Sequence, residues 1–232
     1  DLVAAVPDLT RHAQLDVHAY AQKPGASLML EDLVAIAQLA RQKLAEGSAG
    51  VVVVQGTDTI EETAFVMDLL VPSERPVVVT GAMRGPQAPG ADGPANLLAS
   101  VIVAGSEVMC GQGALVVLND EVHAARHVRK SHTVSTAAFT SPNFAPLAGV
   151  VEARVEAWAR VTRRFALALP TQPLADAPVA LISAVLGDDG RMLSQLEGMG
   201  YRGVVIEAMG AGHLPASWVP HVQALSEAMP VV

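Results

Sequence analysis

The sequence predicts an α/β fold, with an N-terminal domain that holds a parallel sheet between helices and a smaller C-terminal α/β domain. First, 51% of the 232 residues are hydrophobic and 16% are charged, a composition typical of chains that bury a core. Second, short continuous apolar runs such as Val51–Val54 are typical of strands buried on both faces of a sheet. Third, these runs alternate with segments of helical periodicity, which favours parallel strands.

The first predicted helix covers residues 30–45, because apolar side chains recur near one helical face and acidic residues occupy the first turn. Val51–Val54 follows as a buried strand and Gln55–Asp58 as a polar turn. Thr59 lies three residues before Glu62, which is the spacing of a capping box. We therefore expect the Thr59 side chain to cap a second helix that reaches Leu70.

The same order of strand, turn and helix then repeats. Residues 76–79 are predicted as a strand, 80–91 as a loop rich in Gly and Pro, and 95–104 as a helix. Pro94 suits the beginning of that helix, where a backbone N–H has no intrahelical partner. Ala114–Leu118 is predicted as the next strand.

A change of composition at residues 157–177, where Arg and Pro interrupt the periodicity, predicts a linker. The predicted organisation is an N-terminal domain over 1–156, the linker over 157–177 and part of a C-terminal domain over 178–232. Within this last segment, residues 179–185 and 204–206 are predicted as strands, and 194–199 as the end of a helix.

The charge balance argues against nucleic acid as a partner, because the net charge is −8 and phosphate binding needs clustered Lys and Arg. The longest apolar runs are strand-sized, whereas a membrane span needs about 20 apolar residues. Cys110 is the single cysteine, so the chain lacks the paired spacing of a zinc site. His123, His127 and His132 do not form an H-E-x-x-H motif, so no metal site is expected.

Polar residues follow three of the predicted strands. They occupy Gln55–Thr59, Thr80–Arg84 and Asn119–Glu121. In open parallel sheets, ligands bind outside the carboxyl ends of the strands, so we expect one rim that collects hydroxyl groups, carboxylates and an arginine. Gly56 would let a ligand approach the backbone closely.

Thr57, Asp58 and Lys130 are the residues on which we base a catalytic hypothesis. A threonine hydroxyl is a weak nucleophile until a base removes its proton, and a desolvated lysine can be that base. Lys130 lies in the polar segment 126–133, and Asp58 could orient it or bind a substrate ammonium group. The spacing is equally compatible with a solvated surface lysine and with polar residues that cap a helix.

The segment 54–64, Val-Gln-Gly-Thr-Asp-Thr-Ile-Glu-Glu-Thr-Ala, resembles the second signature of the bacterial-type L-asparaginases. The resemblance runs from Asp1 to Val232 and is most specific over residues 51–147. Further blocks agree with that family in order: Thr80–Arg84, Ala91–Leu97, Val117–Asp120, Lys130–Thr133 and Ser141–Leu147.

The resemblance implies hydrolysis of the side-chain amide of L-asparagine, with L-glutamine as a further candidate, without a metal or organic cofactor. Thr57, Asp58 and Lys130 match the catalytic group of the family, in which the lysine helps to activate a threonine hydroxyl and Asp58 holds the substrate ammonium. The residues implied to bind substrate are Gly25, Ala26, Ser27, Gly56, Thr57, Asp58 and Ala82. The backbone N–H of Thr57 would stabilise the oxyanion.

The same resemblance implies a small-molecule substrate and a homotetramer whose sites are shared between subunits. We expect a cytoplasmic protein, with a periplasmic location left open. The competing hypothesis keeps the fold and is a catalytically inactive homologue that binds or senses an amino acid. A role as the subunit that acts on glutamyl-tRNA is disfavoured by the acidic charge.

This sequence also departs from the family pattern. The first motif, Thr-Gly-Gly-Thr, and much of the C-terminal domain are absent from the 232 residues, so we expect them to be part of a longer enzyme. Gly25 stands where the family has a serine that binds the substrate carboxylate, and Ser27 would replace it only if the loop shifts. Gln55 stands where many members have His.

Overall fold

The computed structural model describes residues 6–162, 165–174 and 176–232. Its contacts divide the chain into two units, Asp1–Gln172 and Pro173–Val232. The division falls inside the predicted linker, residues 157–177, whereas the predicted domain limits at 156 and 178 stay a prediction. No helix in the described part of the chain combines the length and the apolar character that crossing a bilayer requires.

The first unit contains four helices and eight strands within its described residues. The helices are α1 (Leu9–His12), α2 (Leu30–Ala45), α3 (Ile60–Leu70) and α4 (Gly93–Ala104). The strands are β1 (Val51–Val54), β2 (Val77–Thr80), β3 (Ala114–Leu118), β4 (Glu121–Ala124), β5 (Arg129–Lys130), β6 (Phe139–Thr140), β7 (Ala148–Val151) and β8 (Arg154–Ala157). The predicted helices and strands of residues 30–118 are therefore confirmed, with shifts of one or two residues at their ends.

The main sheet has the strand order β1-β2-β3-β4-β7-β8. Strands β1, β2 and β3 are parallel, which confirms the predicted α/β fold, but β4, β7 and β8 are antiparallel to their neighbours. The reversal occurs at Asn119 and Asp120, whose φ angles are 53° and 60°. Two successive residues in this left-handed region form a two-residue hairpin turn, and Asn and Asp are the residues that tolerate it best after Gly. The polar segment predicted to follow a strand at Asn119–Glu121 is thus part of a hairpin.

Helices cover both faces of the parallel strands. Ala37 of α2 and Met67 of α3 pack with Val116 in one apolar cluster, and Val103 of α4 packs with Leu115 in a second cluster on the opposite face. Every residue of β2 and β3 is buried, which explains their continuous apolar sequence. Burial of one such side chain contributes roughly 1.5–3 kcal/mol.

The second unit is built on two parallel strands, β9 (Val179–Ser183) and β10 (Gly203–Glu207), and on helix α5 (Val219–Ala228). Trp218 is fully buried in its core, and its indole N–H donates to the Asp188 carbonyl at 3.1 Å. The helix end predicted at residues 194–199 is wrong, because the segment forms a 3₁₀ turn over Leu193–Gln195 and further turns.

Candidate active site

Thr57 and Asp58 lie at the carboxyl end of β1, in a 3₁₀ turn formed by Thr57–Thr59 that leads directly into α3. Lys130 lies in β5, where it pairs with Phe139 of β6 in an antiparallel ladder. The sequence placed Lys130 only in a polar segment, residues 126–133, without a secondary structure. The short β5–β6 ladder instead gives its backbone a defined position beside the β1 exit.

The structure brings the three predicted catalytic residues into direct contact. The Lys130 ammonium donates to Thr57 Oγ1 at 2.9 Å and to Asp58 Oδ1 at 3.0 Å. The Lys130 side chain is 19% exposed, whereas that of Asp58 is 67% exposed. A mostly buried lysine therefore touches a threonine hydroxyl, while Asp58 remains open to a molecule from solvent.

Glu61 also contributes to the position of Lys130. Its Oε1 accepts a hydrogen bond from the Lys130 backbone N–H at 2.6 Å. Glu61 belongs to the first turn of α3, so this contact joins the helix after β1 to strand β5. Sequence reasoning missed this role, because an acidic residue in the first helical turn is already explained by the helix dipole.

Thr59 does not cap α3, so that prediction is wrong. No side-chain cap is formed at this helix start. The Thr59 hydroxyl donates instead to the Gly25 carbonyl at 3.0 Å and accepts from Gln55 Nε2 at 3.1 Å. These two bonds tie the segment at Gly25 to the β1 exit.

Gly25 packs against Gly56 backbone to backbone. A Cβ atom placed on Gly25 would lie 2.9 Å from the Gly56 carbonyl oxygen, closer than real Cβ contacts come. A serine at position 25 would therefore require the backbone to shift. Gly25, Ala26 and Ser27 form a 3₁₀ turn in which the last two residues are exposed. That Ser27 takes over the role of the family's serine in binding the substrate carboxylate stays a prediction.

The loop after β2, which carries Ala82, is held by Asp92, which immediately precedes α4, and by Asn96 of α4. The Asp92 carboxylate accepts the backbone N–H groups of Met83 and Arg84, both at 2.9 Å. Asn96 donates to the Gly81 carbonyl at 2.9 Å and to Asp92 at 3.0 Å. These bonds fix the backbone on both sides of Ala82.

Asn96 also reaches the exit of β3. Its Oδ1 accepts the Asn119 N–H at 2.9 Å, and the residue is only 2% exposed. One buried amide therefore connects the exits of two neighbouring strands. The sequence motif around Asp92 indicated only a helix start, because the partners of Asn96 are 15 and 23 residues away.

A cavity of about 330 Å³ opens beside the predicted catalytic residues and is lined by Asp58, Lys130, Ser131, His132 and Thr133. Its size is that of a small-molecule pocket. A second cavity, of about 390 Å³, lies where α3 ends and β2 begins, and includes Arg41, Glu74 and Arg75. None of the predicted site residues lines the second cavity.

His123 is the buried one of the three histidines at positions 123, 127 and 132. Among residues 6–162, 165–174 and 176–232, no group of three or more His, Cys, Asp or Glu is placed to hold a metal ion. His123 is fully buried, its Nδ1 is 2.9 Å from Ser141 Oγ, and burial lowers its pKa from 6.5 to about 4. The imidazole is therefore neutral near pH 7, although Glu121 Oε2 lies 3.4 Å from Nε2.

Comparison with known proteins identifies the family to which the chain belongs. Residues 1–163 match the model of the asparaginase N-terminal domain. The chain is 31% identical to an L-asparaginase of Bacillus licheniformis over 99% of its own length and 71% of that protein. It is 30% identical to a subunit of the glutamyl-tRNA(Gln) amidotransferase of Methanobrevibacter smithii, over 100% of the chain and 55% of the relative.

A solved structure has the same fold. The probable cytoplasmic L-asparaginase of Campylobacter jejuni superposes with a TM-score of 0.92 at 30% identity, over 99% of this chain and 72% of that one. The family match covers more than half of the chain, and the polar residues at the β1 exit fall within it. The chain belongs to the asparaginase family of amidohydrolases.

Proposed function

We propose that this protein hydrolyses the side-chain amide of L-asparagine to L-aspartate and ammonia. The single observation that supports this most is the 2.9 Å contact between Lys130 Nζ and Thr57 Oγ1, the distance expected of a nucleophile and its base. The contact lies beside a cavity that also exposes the Asp58 carboxylate. L-Glutamine, which is one methylene longer, is proposed as a poorer substrate.

In the proposed reaction, a threonine hydroxyl attacks the carbon of the side-chain amide, and Thr57 is the threonine in contact with the lysine. Lys130 in its neutral form takes the hydroxyl proton as the oxygen–carbon bond forms. The carbon–nitrogen bond then breaks, and the proton leaves with the nitrogen as ammonia. Water hydrolyses the resulting ester, which releases the carboxylic acid and restores the hydroxyl.

The surrounding groups orient the substrate in this proposal. Asp58, exposed at the cavity, pairs with the α-ammonium group of the amino acid. The backbone N–H of Thr57 stabilises the negative charge that develops on the amide oxygen. The fixed loop around Ala82 supplies its backbone carbonyl to the same pocket.

Two wider proposals concern assembly and location. We propose a homotetramer with sites shared between subunits, as the family resemblance implies; light scattering of the full-length protein measures the number of subunits. We propose a cytoplasmic location, which is the location in the name of the Campylobacter jejuni structure. Fractionation of the source cells tests the second of these.

Ammonia release by the full-length protein tests the proposed function. Lys130→Met, which keeps the length of the side chain and removes its basic nitrogen, should lower kcat for L-asparagine by about 10³-fold or more. Thr57→Val should have an effect of similar size. Lys43→Met is the matched control, because Lys43 pairs with Asp16 at the surface and its loss should leave kcat unchanged.

Near-wild-type turnover in either site variant would overturn the proposed roles. If the wild-type protein binds L-asparagine in calorimetry but releases no ammonia, the competing function of an amino-acid-binding homologue holds instead. Unchanged unfolding midpoints in the variants separate loss of chemistry from loss of structure.

A further inference from the structure

The position of Lys130 depends on a ladder of only two residue pairs. Lys130 pairs with Phe139, and Arg129 pairs with Thr140. Outside this ladder, the Lys130 backbone N–H donates to Glu61. A two-stranded ladder is marginally stable by itself, so the contacts that attach β6 to the rest of the unit also determine where Lys130 lies.

Strand β6 is attached to the rest of the unit at both of its ends. Ala138 and Phe139 are buried in the apolar cluster that includes Met67. At the other end, the residue that follows β6 is Ser141, and its Oγ lies 2.9 Å from Nδ1 of His123. His123 belongs to β4 of the main sheet. The Ser141 side chain therefore joins the end of β6 to the main sheet.

His123 makes this contact from a fully buried position. Its Nε2 forms no hydrogen bond with the described residues, although Glu121 Oε2 lies 3.4 Å away. A carboxylate can only accept, so the neutral ring carries its proton on Nε2, and Nδ1 accepts the Ser141 hydroxyl. Within the described part of the chain, the contact with Ser141 is thus the one hydrogen bond of this imidazole.

The imidazole gives this position something that an apolar side chain of similar volume would not. An apolar side chain could be buried here without needing a hydrogen-bond partner. A hydrogen bond forms only within a narrow range of distance and angle, so the imidazole holds Ser141 in one place. Ser141 is next to Thr140, which pairs with Arg129, the neighbour of Lys130. A shift of Ser141 would therefore pass through one ladder pair to Lys130.

We propose that His123 is a positioning residue of the active site, which acts through Ser141 and the β5–β6 ladder to hold Lys130 against Thr57. The inference rests on the proposed function, in which Lys130 takes a proton from the Thr57 hydroxyl. The two side chains are 2.9 Å apart, and proton transfer needs that contact. A displacement of about 1 Å can lower a rate by about 100-fold. His123 is not among the residues that line the cavity.

Two substitutions of His123 separate positioning from packing. His123→Leu fills the position with an apolar side chain and removes the acceptor for Ser141. His123→Asn places an amide oxygen where Nδ1 stands, so it keeps an acceptor but leaves the rest of the ring's volume empty. The Leu variant should therefore be the more stable and the Asn variant the more active. Ser141→Ala removes the same bond from its other end, and Ser194→Ala is its control, because the Ser194 hydroxyl donates within an exposed turn of the second unit.

In the full-length protein, His123→Leu and Ser141→Ala should each lower kcat for L-asparagine about tenfold and change KM by less than about threefold. The double variant should lose no more than either single variant, because both remove the same bond. His123→Asn should keep kcat within about threefold of wild type, although its unfolding midpoint is the lowest. Amide hydrogen exchange of the peptide that covers residues 129–140 should be faster only in the variants that lose the bond.

The hydrogen-exchange measurement does not depend on turnover. If the wild-type protein releases no ammonia, the proposed hydrolysis fails, and faster exchange at residues 129–140 in His123→Leu and Ser141→Ala still supports His123 as the group that positions Lys130. Unchanged exchange in these two variants would overturn the proposal in either case. If kcat instead follows the unfolding midpoints, so that His123→Asn is the least active variant, His123 has only a packing role. Wild-type kcat in Ser141→Ala would also overturn the proposal.

Discussion

Two polar clusters occupy the same edge of the main sheet and differ in what surrounds them. The Lys130 cluster, formed by Lys130, Thr57 and Asp58, faces a cavity and includes a carboxylate that is 67% exposed. The Asn96 cluster, formed by Asn96, Asp92 and the backbone around Gly81, has its central amide 2% exposed. Both clusters join residues far apart in the chain.

The difference between them lies in unused hydrogen-bonding capacity. Asn96 donates to Gly81 and Asp92 and accepts from Asn119, so little capacity remains for a ligand. In the Lys130 cluster, Lys130 and the exposed carboxylate of Asp58 line the cavity. A polar network that is buried and satisfied maintains the fold, whereas one left open to solvent can bind and react.

The largest effect on stability is expected at Asn96. Asn96→Ala leaves the buried Gly81 carbonyl and the Asn119 N–H without their partner, which should lower the free energy of unfolding by about 3–4 kcal/mol. Urea unfolding measures this loss. Gln42→Ala removes an amide whose bond to Glu46 is exposed, and it should cost less than about 0.5 kcal/mol. Equal losses in the two variants would contradict the contrast between the clusters.

A smaller effect on stability is expected from protonation of His123, which lies on β4 outside both clusters. Because burial lowers its pKa from 6.5 to about 4, the unfolded chain binds a proton first as the pH falls. Stability should therefore fall between pH 6.5 and 4, by up to about 3 kcal/mol.

The measurement compares the free energy of unfolding of wild type and His123→Gln across that pH range. The variant should lack this part of the pH dependence, since the contribution of every other titrating group is common to both proteins. His213→Gln should behave as wild type, because His213 is exposed. Parallel pH profiles for wild type and His123→Gln would show that His123 titrates normally.

The smallest effect is expected from substitution of Glu61, and it is an effect on kcat. Glu61 positions Lys130 and touches no substrate in the proposed reaction. Glu61→Leu removes the acceptor for the Lys130 N–H and should lower kcat by about tenfold, through misplacement of the lysine. Glu61→Gln keeps an acceptor oxygen and should restore kcat to within about threefold.

Glu62→Leu is the matched control for Glu61, because Glu62 is the exposed neighbour on the same helix. It should leave kcat unchanged. If Glu61→Leu alters only the unfolding midpoint and not kcat, its contact with Lys130 has no catalytic consequence.

Local patterns in the chain predicted the parallel half of the fold well. Runs such as Val77–Val79 must be buried on both faces, and helical periodicity marked α2 and α3, so these elements depend on neighbouring residues alone. The antiparallel strands were not predicted, because the sequence of the hairpin at Asn119 and Asp120 resembles that of any polar segment at the end of a strand. Only the φ angles of those two residues reverse the chain.

By itself the sequence determined the family resemblance, the α/β class and the identity of Thr57, Asp58 and Lys130 as candidates, since these follow from residue order. Only the tertiary structure decided that Lys130 touches Thr57 and that Glu61 holds its backbone. It also decided that Thr59 bonds Gly25 instead of its own helix. The physical reason is that each of these contacts joins segments 34 to 73 residues apart, a distance at which only packing specifies which groups meet.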